Sequence, residues 1–540
     1  MHATLTRSVL SGLLPYSGPW AFEQAAHLLR RTTFGPTYDQ LQWATDQGLE
    51  ATLAKLFEET PLPDPPLNVY MDNDPDVPLG EPWVEAPYTN VHLNEQMGYR
   101  GRSLYAWNLG LMWNEDISLR EKMTLFWHNH FPLNAINDPK FLYRNNNLLR
   151  SYAWGNFRAL TKEVTIDPAM LIYLNGNQNK VGSPNENYAR ELLELFTIGK
   201  GPQVGPGDYT NYTEQDVLEM ARVLSGWKEF GFTLESNDGQ IGSEFFPNRH
   251  DDGVKTLSYR FNNAVISNMG DQEYAYLIDL IFEQDEVARF ICRKLYRWFV
   301  FYQIDETVEQ EVIEPMAQIL IDNDYEIRPA LEALLGSQHF FESQQKGLII
   351  KNPLDFILSI VKSMDVAIST PPDQMYDSWY RVFGFASQAQ LKLYEVPEVA
   401  GWPPFYRSPL YNRAWLNAST LPLRMTHAET FMTNGYFPFE ANGDLMRVDV
   451  LKLLTTLQNP LDPNAVIDEL VMILFPQPVS PERKAMLKEI LLPGLPDFEW
   501  TVEYGDYLAD PSNEDLADAV DNKVRNLIKS MLSMPDFYLH

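Results

Sequence analysis

The segment from Ser183 to Gly199 constrains the fold most. Ser183-Pro184-Asn185-Glu186 combines a helix-capping Ser, a Pro at the first helical position and a Glu three residues after the cap, while Gly199 is placed to end the run in a left-handed conformation. Across the helix predicted over 184–198, Tyr188, Ala189, Leu192, Leu193, Leu195 and Phe196 cover most of the circumference, so the rod has to be packed among other helices. Its remaining polar groups, Asn187, Arg190, Glu191 and Glu194, fall at i, i+3, i+4 and i+7 and form one stripe. A buried carboxylate is costly unless it is paired or bound to metal. Two readings follow: an internal Arg190–Glu194 ion pair with Glu191 against a neighbour, or a polar cleft or divalent-metal site. Glu186 is set aside, because capping accounts for it.

Helical punctuation governs the rest of the chain. Residues 21–31 and 41–57 read as helices, and the Pro-rich stretch from Pro61 to Pro87 reads as a long irregular surface segment. Ser118-Leu-Arg-Glu121 has the form of a capping box, followed by Met123, Phe126, Trp127 and His130 at helical spacing. That helix is predicted to stop near Asn129 or His130, since Phe131 precedes Pro132. Thr213-Glu-Gln-Asp216 opens a third helix, and 271–300 and 308–342 read as further amphipathic helices. Only 228–233, 244–247 and 256–261 offer short strands. The predicted class is mainly α: a large multi-helix protein with long irregular loops and at most a small β-hairpin or sheet. Three parts are expected, 1–100 with N-terminal helices and the Pro-rich segment, 101–365 with the His/Glu/Asp motifs, and 366–540 with a Pro/Trp-rich loop and C-terminal helices, which can also run together as one domain.

Charge and composition exclude several function classes. The 540 residues hold 42 Lys and Arg against 73 Asp and Glu, a formal net charge of −31, which opposes binding to nucleic acid or an anionic membrane surface. No run approaches the ~18–20 apolar residues of a membrane span, so the chain is expected to be a soluble, acidic protein. The opening residues hold only a short apolar run before Pro15, less than the about 7–15 residues of an export signal, which points to the cytoplasm or to a leader already removed. The single cysteine, Cys292, rules out an intramolecular disulfide, so a zinc site would use His and carboxylates. No nucleotide-binding fingerprint is present, and no nucleotide cofactor is expected.

Three constellations can carry chemistry. The first is the polar stripe of 184–198. The second is Trp127-His128-Asn129-His130, in which two imidazoles of only nine in the chain stand beside the Pro132 break. Side chains two apart on a helix point about 200° apart, so His128 and His130 cannot share one ion unless the helix has ended. His130 extends the apolar face and His128 the more polar one; packing in the core and capping of carbonyls are the structural alternatives. The third is His250-Asp251-Asp252-Gly253-Val254-Lys255, either a tight turn or a loop presenting an imidazole, carboxylates and an ammonium together. Combined, His128, Glu191, Glu194 and His250 could ligate Zn, Mn or Ca, although no single spacing matches a closed metal motif. Trp402, Phe405, Tyr406, Tyr411 and Trp415 gather in one Pro-interrupted loop, where flat rings could meet sugar faces or pack in the core.

With these residues in view, the chain resembles the bacterial domain-of-unknown-function family numbered 1800 (DUF1800). His27-Leu-Leu-Arg-Arg-Thr-Thr-Phe-Gly-Pro36 is similar to the family's opening, Arg120-Glu-Lys-Met-Thr-Leu-Phe-Trp-His-Asn-His-Phe131 to its His motif, and Pro184-Asn-Glu-Asn-Tyr-Ala-Arg-Glu-Leu-Leu-Glu-Leu-Phe-Thr-Ile-Gly199 to its most specific signature. Tyr212-Thr-Glu-Gln-Asp-Val217, Ser225-Gly-Trp227, His250-Asp251 with Lys255-Thr256, Lys351-Asn-Pro353 and Val399-Ala-Gly-Trp-Pro403 follow in the family's order. The resemblance implies a largely helical, often exported protein, commonly encoded beside a second family, numbered 1501, that resembles sulfatases and alkaline phosphatases. It thereby implies a periplasmic or extracellular role on sulfated or uronic-acid glycans and a sulfatase-like partner. The chain departs from the family in having no obvious leader and in continuing Pro-Phe-Tyr after Gly401-Trp-Pro403.

The expected function is therefore an enzyme acting on a polar polymer such as an acidic or sulfated polysaccharide, by hydrolysis, β-elimination or uronic-acid epimerisation, with a divalent metal assisting. In this reading His128, His130, Glu191, His250 and Asp251 are catalytic. Arg190, Asn187, Lys255, Trp402 and Tyr406 hold substrate. The alternative is a non-catalytic helical scaffold or glycan-binding partner of a sulfatase-like protein.

Overall fold

The computed structural model describes residues 12–69, 74–232, 239–342, 345–440 and 442–540. The opening residues, on which the export-signal reading rests, lie outside them, as does Thr233 at the end of one expected strand. The described chain is mainly α-helical, and its β-structure consists of three two-stranded antiparallel sheets. Trp227–Phe230 pairs with Gly242–Phe245 and Lys255–Thr256 with Val265–Ile266. A third pair, Gln203–Gly205 with Asp208–Tyr209, lies outside the expected short strands.

Local signals succeed where their partners are local. The helix Glu214–Val223 begins where expected and carries a capping box, Thr213 N donating to Asp216 Oδ2 at 2.8 Å and Asp216 N to Thr213 Oγ1 at 3.4 Å. The helix Arg120–His130 ends where Pro132 requires. Its start differs from expectation: the Glu121 carboxylate does not return to the backbone but pairs with Arg150, and the Glu121 N–H donates instead to Glu115 Oε1 at 2.9 Å.

The signature helix is also redrawn. Asn185, not Ser183, caps it, and after Glu186–Glu191 the chain widens into a π-helix over Leu192–Thr197 before Gly199 takes φ +68°. The wider turn changes the spacing assumed for the polar stripe. The apolar side chains are buried as expected, among them Tyr188, Leu192, Leu193 and Phe196.

Residues of all three expected parts enter one contiguous core, from Ala25 to Tyr538. Two packings position the sites below. The helix Leu93–Asn114 lies along Pro372–Gln388, and the close approach depends on Gly110, where a Cβ would stand 2.6 Å from the Trp379 ring. The N-terminal helix Phe22–Thr32 packs on Pro463–Leu474 and reaches the end of the chain through Arg31.

Candidate functional site

The structure disperses the residues expected to act together. His128 is sealed in the core, 1% exposed, with its ring against Tyr394 and Trp402; Nε2 accepts from Tyr394 N at 2.9 Å, and Nδ1 has no partner. Burial pulls its pKa down to about 3, so the ring is neutral at physiological pH. Trp402 is itself 1% exposed and cannot stack on a substrate, and Tyr406 is half-buried with its hydroxyl on Glu398. His130 contacts Phe196 O through Nε2 at 3.0 Å and Lys294 Nζ through Nδ1 at 3.0 Å. Burial, with the Lys294 charge, holds its pKa well below the ordinary value.

The polar stripe faces the surface. Arg190 makes a two-pronged pair with Glu214 at 2.9 and 2.8 Å and reaches Glu186 at 3.2 Å, while Glu194 accepts from Tyr212 and, at 3.0 Å, from Lys200. Glu194 stands 3.9 Å from Arg190, so the local pair is the weaker part of a larger cluster. Asn187 is exposed and donates to Leu174 O at 3.1 Å. Glu191 makes no direct hydrogen bond among the described residues, and desolvation and the Glu194 carboxylate raise its pKa.

The third constellation closes on itself. His250 contacts Ser225 O through Nδ1 at 2.9 Å and Glu273 Oε2 through Nε2 at 3.1 Å, and the fully buried Lys255 pairs with Glu273. Asp251 is held by Arg222 at 2.9 and 3.0 Å, which with its other hydrogen bonds depresses its pKa. His250 lies at the floor of an open cleft with Trp227, Phe245 and the carboxylates Glu244, Asp252 and Asp271, but Asp251 and Lys255 turn away from it. Among the described residues no three His, Cys, Asp or Glu side chains are grouped so that they could hold one metal ion. His128, Glu191, Glu194 and His250, in separate neighbourhoods, do not fit a shared divalent cation.

A different pair of carboxyl groups shares a cleft. The cavity, of about 770 Å³, lies between the Pro-rich segment, the end of the helix Leu93–Asn114, the start of Arg120–His130 and the helix Pro372–Gln388. Trp107, Tyr376 and Trp379 line its floor, and Glu115 and Glu121 stand at one end. Arg120 pins the irregular segment in place, donating to Thr60 O at 2.6 Å, Thr60 Oγ1 at 2.8 Å and Pro61 O at 3.2 Å.

The two carboxyl groups have opposite surroundings. Glu121, 4% exposed, receives both prongs of the equally buried Arg150, at 2.7 and 2.9 Å, and sits in the first turn of its helix, where the helix dipole favours a negative charge. Glu115 follows the last residue of the preceding helix, where the dipole opposes it. Its Oε2 is buried without a partner, and burial, with the Glu121 charge, pushes its pKa up to about 8. Lys362 does not compensate directly: its ammonium donates to Met112 O and Glu115 O, both at 3.1 Å. Glu115 therefore holds its proton more tightly than an ordinary carboxyl, beside a Glu121 that is bound by Arg150. Sequence reasoning passed over Glu115 and gave Glu121 to a helix cap; the nearest local signal was a pair of carboxylates six residues apart around a helix start.

A family model described as "Protein of unknown function (DUF1800)" matches residues 27–539. The chain belongs to this family. No curated protein and no solved structure gives a match. The match runs from within the helix Phe22–Thr32 through the remaining elements described above, and Glu121 lies within the DUF1800-like stretch 120–131.

Proposed function

We propose that the protein is an enzyme acting on a polar polymer, a carbohydrate, by acid/base chemistry in the Glu115–Glu121 cleft. One observation carries the reading: two neighbouring carboxyl groups line one cavity, Glu121 bound by both prongs of Arg150 and Glu115 shifted toward its protonated form by burial. Glu115 donates a proton to a leaving oxygen, and Glu121 accepts one or stabilises developing positive charge. Trp107, Tyr376 and Trp379 are nearly buried and give the cleft an apolar wall rather than open stacking platforms. Asp64 and Asp116 also line the cleft, so it favours a weakly charged stretch of substrate over a densely sulfated one. No step is routed through a metal, because the expected ligands stand apart.

The test uses a panel of neutral, uronic-acid and sulfated polysaccharides. Release of reducing ends reports hydrolysis, and the ultraviolet absorbance of an unsaturated uronate reports β-elimination. Cleavage of at least one polymer is expected, with a loss of about 100-fold or more in Glu115→Gln and Glu121→Gln at unchanged folded content. Full turnover in both variants refutes the assignment. Binding without cleavage supports the second reading, a scaffold or glycan-binding partner of a sulfatase-like protein, which the internally satisfied Arg190–Glu214 cluster favours.

A further inference from the structure

A second cavity lies where the two ends of the chain meet. It is small, about 30 Å³, roughly the room of two water-sized groups. Arg31, Lys122, Arg297 and His540 line it together with a single carboxylate, Asp355. That carboxylate is already saturated, by Lys122, by Asn352 Nδ2 at 2.6 Å and by His540 Nε2 at 3.1 Å. Among the described residues Arg31 has only main-chain oxygens as partners: Phe299 O at 3.3 Å, Val300 O at 3.1 Å, Gln345 O at 2.7 Å and, at 3.4 Å, the main-chain oxygen of His540, the last residue of the sequence. Burial and neighbouring cations push the pKa values of Lys351 and His540 down, and Lys122 is paired with Asp355, so the positive charge here comes from Arg31 and Arg297 with Arg424 behind the wall, although the whole chain carries −31.

The unpaired atoms around the cavity are mostly of one kind. Among the described residues Arg31 Nε, Trp298 Nε1 and Trp415 Nε1 are buried N–H donors without an acceptor, while the Asn412 side-chain oxygen and His540 Nδ1, an acceptor when Nε2–H faces Asp355, also lack partners. Exchanging the Asn412 amide O and N turns a fourth donor toward the cavity. Buried donors left unmade are costly, and uncompensated buried cations more so. Both are relieved by an acceptor-only, negatively charged group with two oxygens.

We propose that this cavity binds a carboxylate group, either a small free carboxylate or the uronate of a larger molecule, with Arg31, Trp298, Trp415 and Asn412 as its donors. Tyr302 and Phe405, also lining the cavity, are half-buried. The site is independent of the Glu115–Glu121 cleft.

The test is thermal unfolding and calorimetric titration of the full chain with acetate, glucuronate and an oligouronide, against chloride at equal ionic strength. Saturable stabilisation by a carboxylate is expected. Acetate acting alone identifies a free ligand, and glucuronate or the oligouronide acting without acetate identifies a sugar-borne one. Trp415→Phe, which keeps most of the ring and removes the N–H, weakens binding about tenfold. Asn412→Asp places a carboxylate in the cavity; it raises the melting temperature and abolishes the response to added carboxylate. The proposal is overturned if no carboxylate stabilises beyond chloride, if both variants respond as the parent does, or if Asn412→Asp lowers the melting temperature, as burial in a cavity without excess positive charge requires.

Discussion

Replacing Glu115 by Gln should change stability in a way that depends on pH with a definite sign. The native pKa of Glu115, about 8, lies above its ordinary 4.5. The folded protein therefore holds this proton more tightly than the unfolded chain. Its contribution is fully present below about 4.5, is lost progressively as pH rises toward 8, and is flat above. At ~1.4 kcal/mol per pH unit the loss amounts to at most roughly 5 kcal/mol. Glutamine cannot ionise and escapes it. For a chain of this length about 1 kcal/mol moves the melting temperature by about 1 °C. The melting temperature of Glu115→Gln minus that of the parent should thus rise by about 3–5 °C between pH 5 and pH 8.5, whatever its value at pH 5. Lys362, lowered to about 8 chiefly by burial, adds a slope of the opposite sign from about pH 7 upward, so the part of the difference that arises below pH 7 reports Glu115 most directly. Calorimetric melts at half-unit pH steps are the assay. A difference that stays flat or falls with pH refutes the reasoning.

Other perturbations follow from the same contacts. Arg150→Met strands the buried Glu121 carboxylate and should cost about 3–5 kcal/mol in denaturant unfolding, part of which returns when Glu121→Gln is added; simple additivity contradicts this. His128→Ala should lose about 2–4 kcal/mol through the void it leaves. Because the ring is already neutral, with a pKa near about 3, that loss should be constant between pH 5 and pH 8 in paired melts. Arg190→Ala, with a side chain 30% exposed, should cost less than about 1 kcal/mol and less still in high salt; a loss above about 2 kcal/mol in urea titrations contradicts a surface ion-pair cluster.

The parts of this structure that were legible in the sequence are those whose partners lie close along the chain. Thr213 and Asp216 satisfy each other within one turn, and Pro132 stops its helix by local sterics. The same motif at Ser118–Glu121 failed because a distant Arg150 offers Glu121 two charge-assisted bonds, more than one backbone N–H can. The polar stripe was recognised, but its burial was overestimated: the apolar side chains turn inward while Arg190 and Glu194 keep contact with Glu214 and Lys200 at the surface. Glu115 was hidden because nothing near it in sequence shows that the chain around Lys362 and Trp379 will seal its carboxyl. The cationic cavity was hidden for the same reason, joining Arg31 to His540 across nearly the whole chain.

The protonation of Glu115 can be observed without a substrate. In protein labelled with ¹³C at the glutamate carboxyl carbon, NMR titration should show one resonance with a midpoint near about 8 that is absent from Glu115→Gln. A Glu115 carboxyl that titrates near its ordinary value of 4.5 would contradict the acid/base account of the cleft.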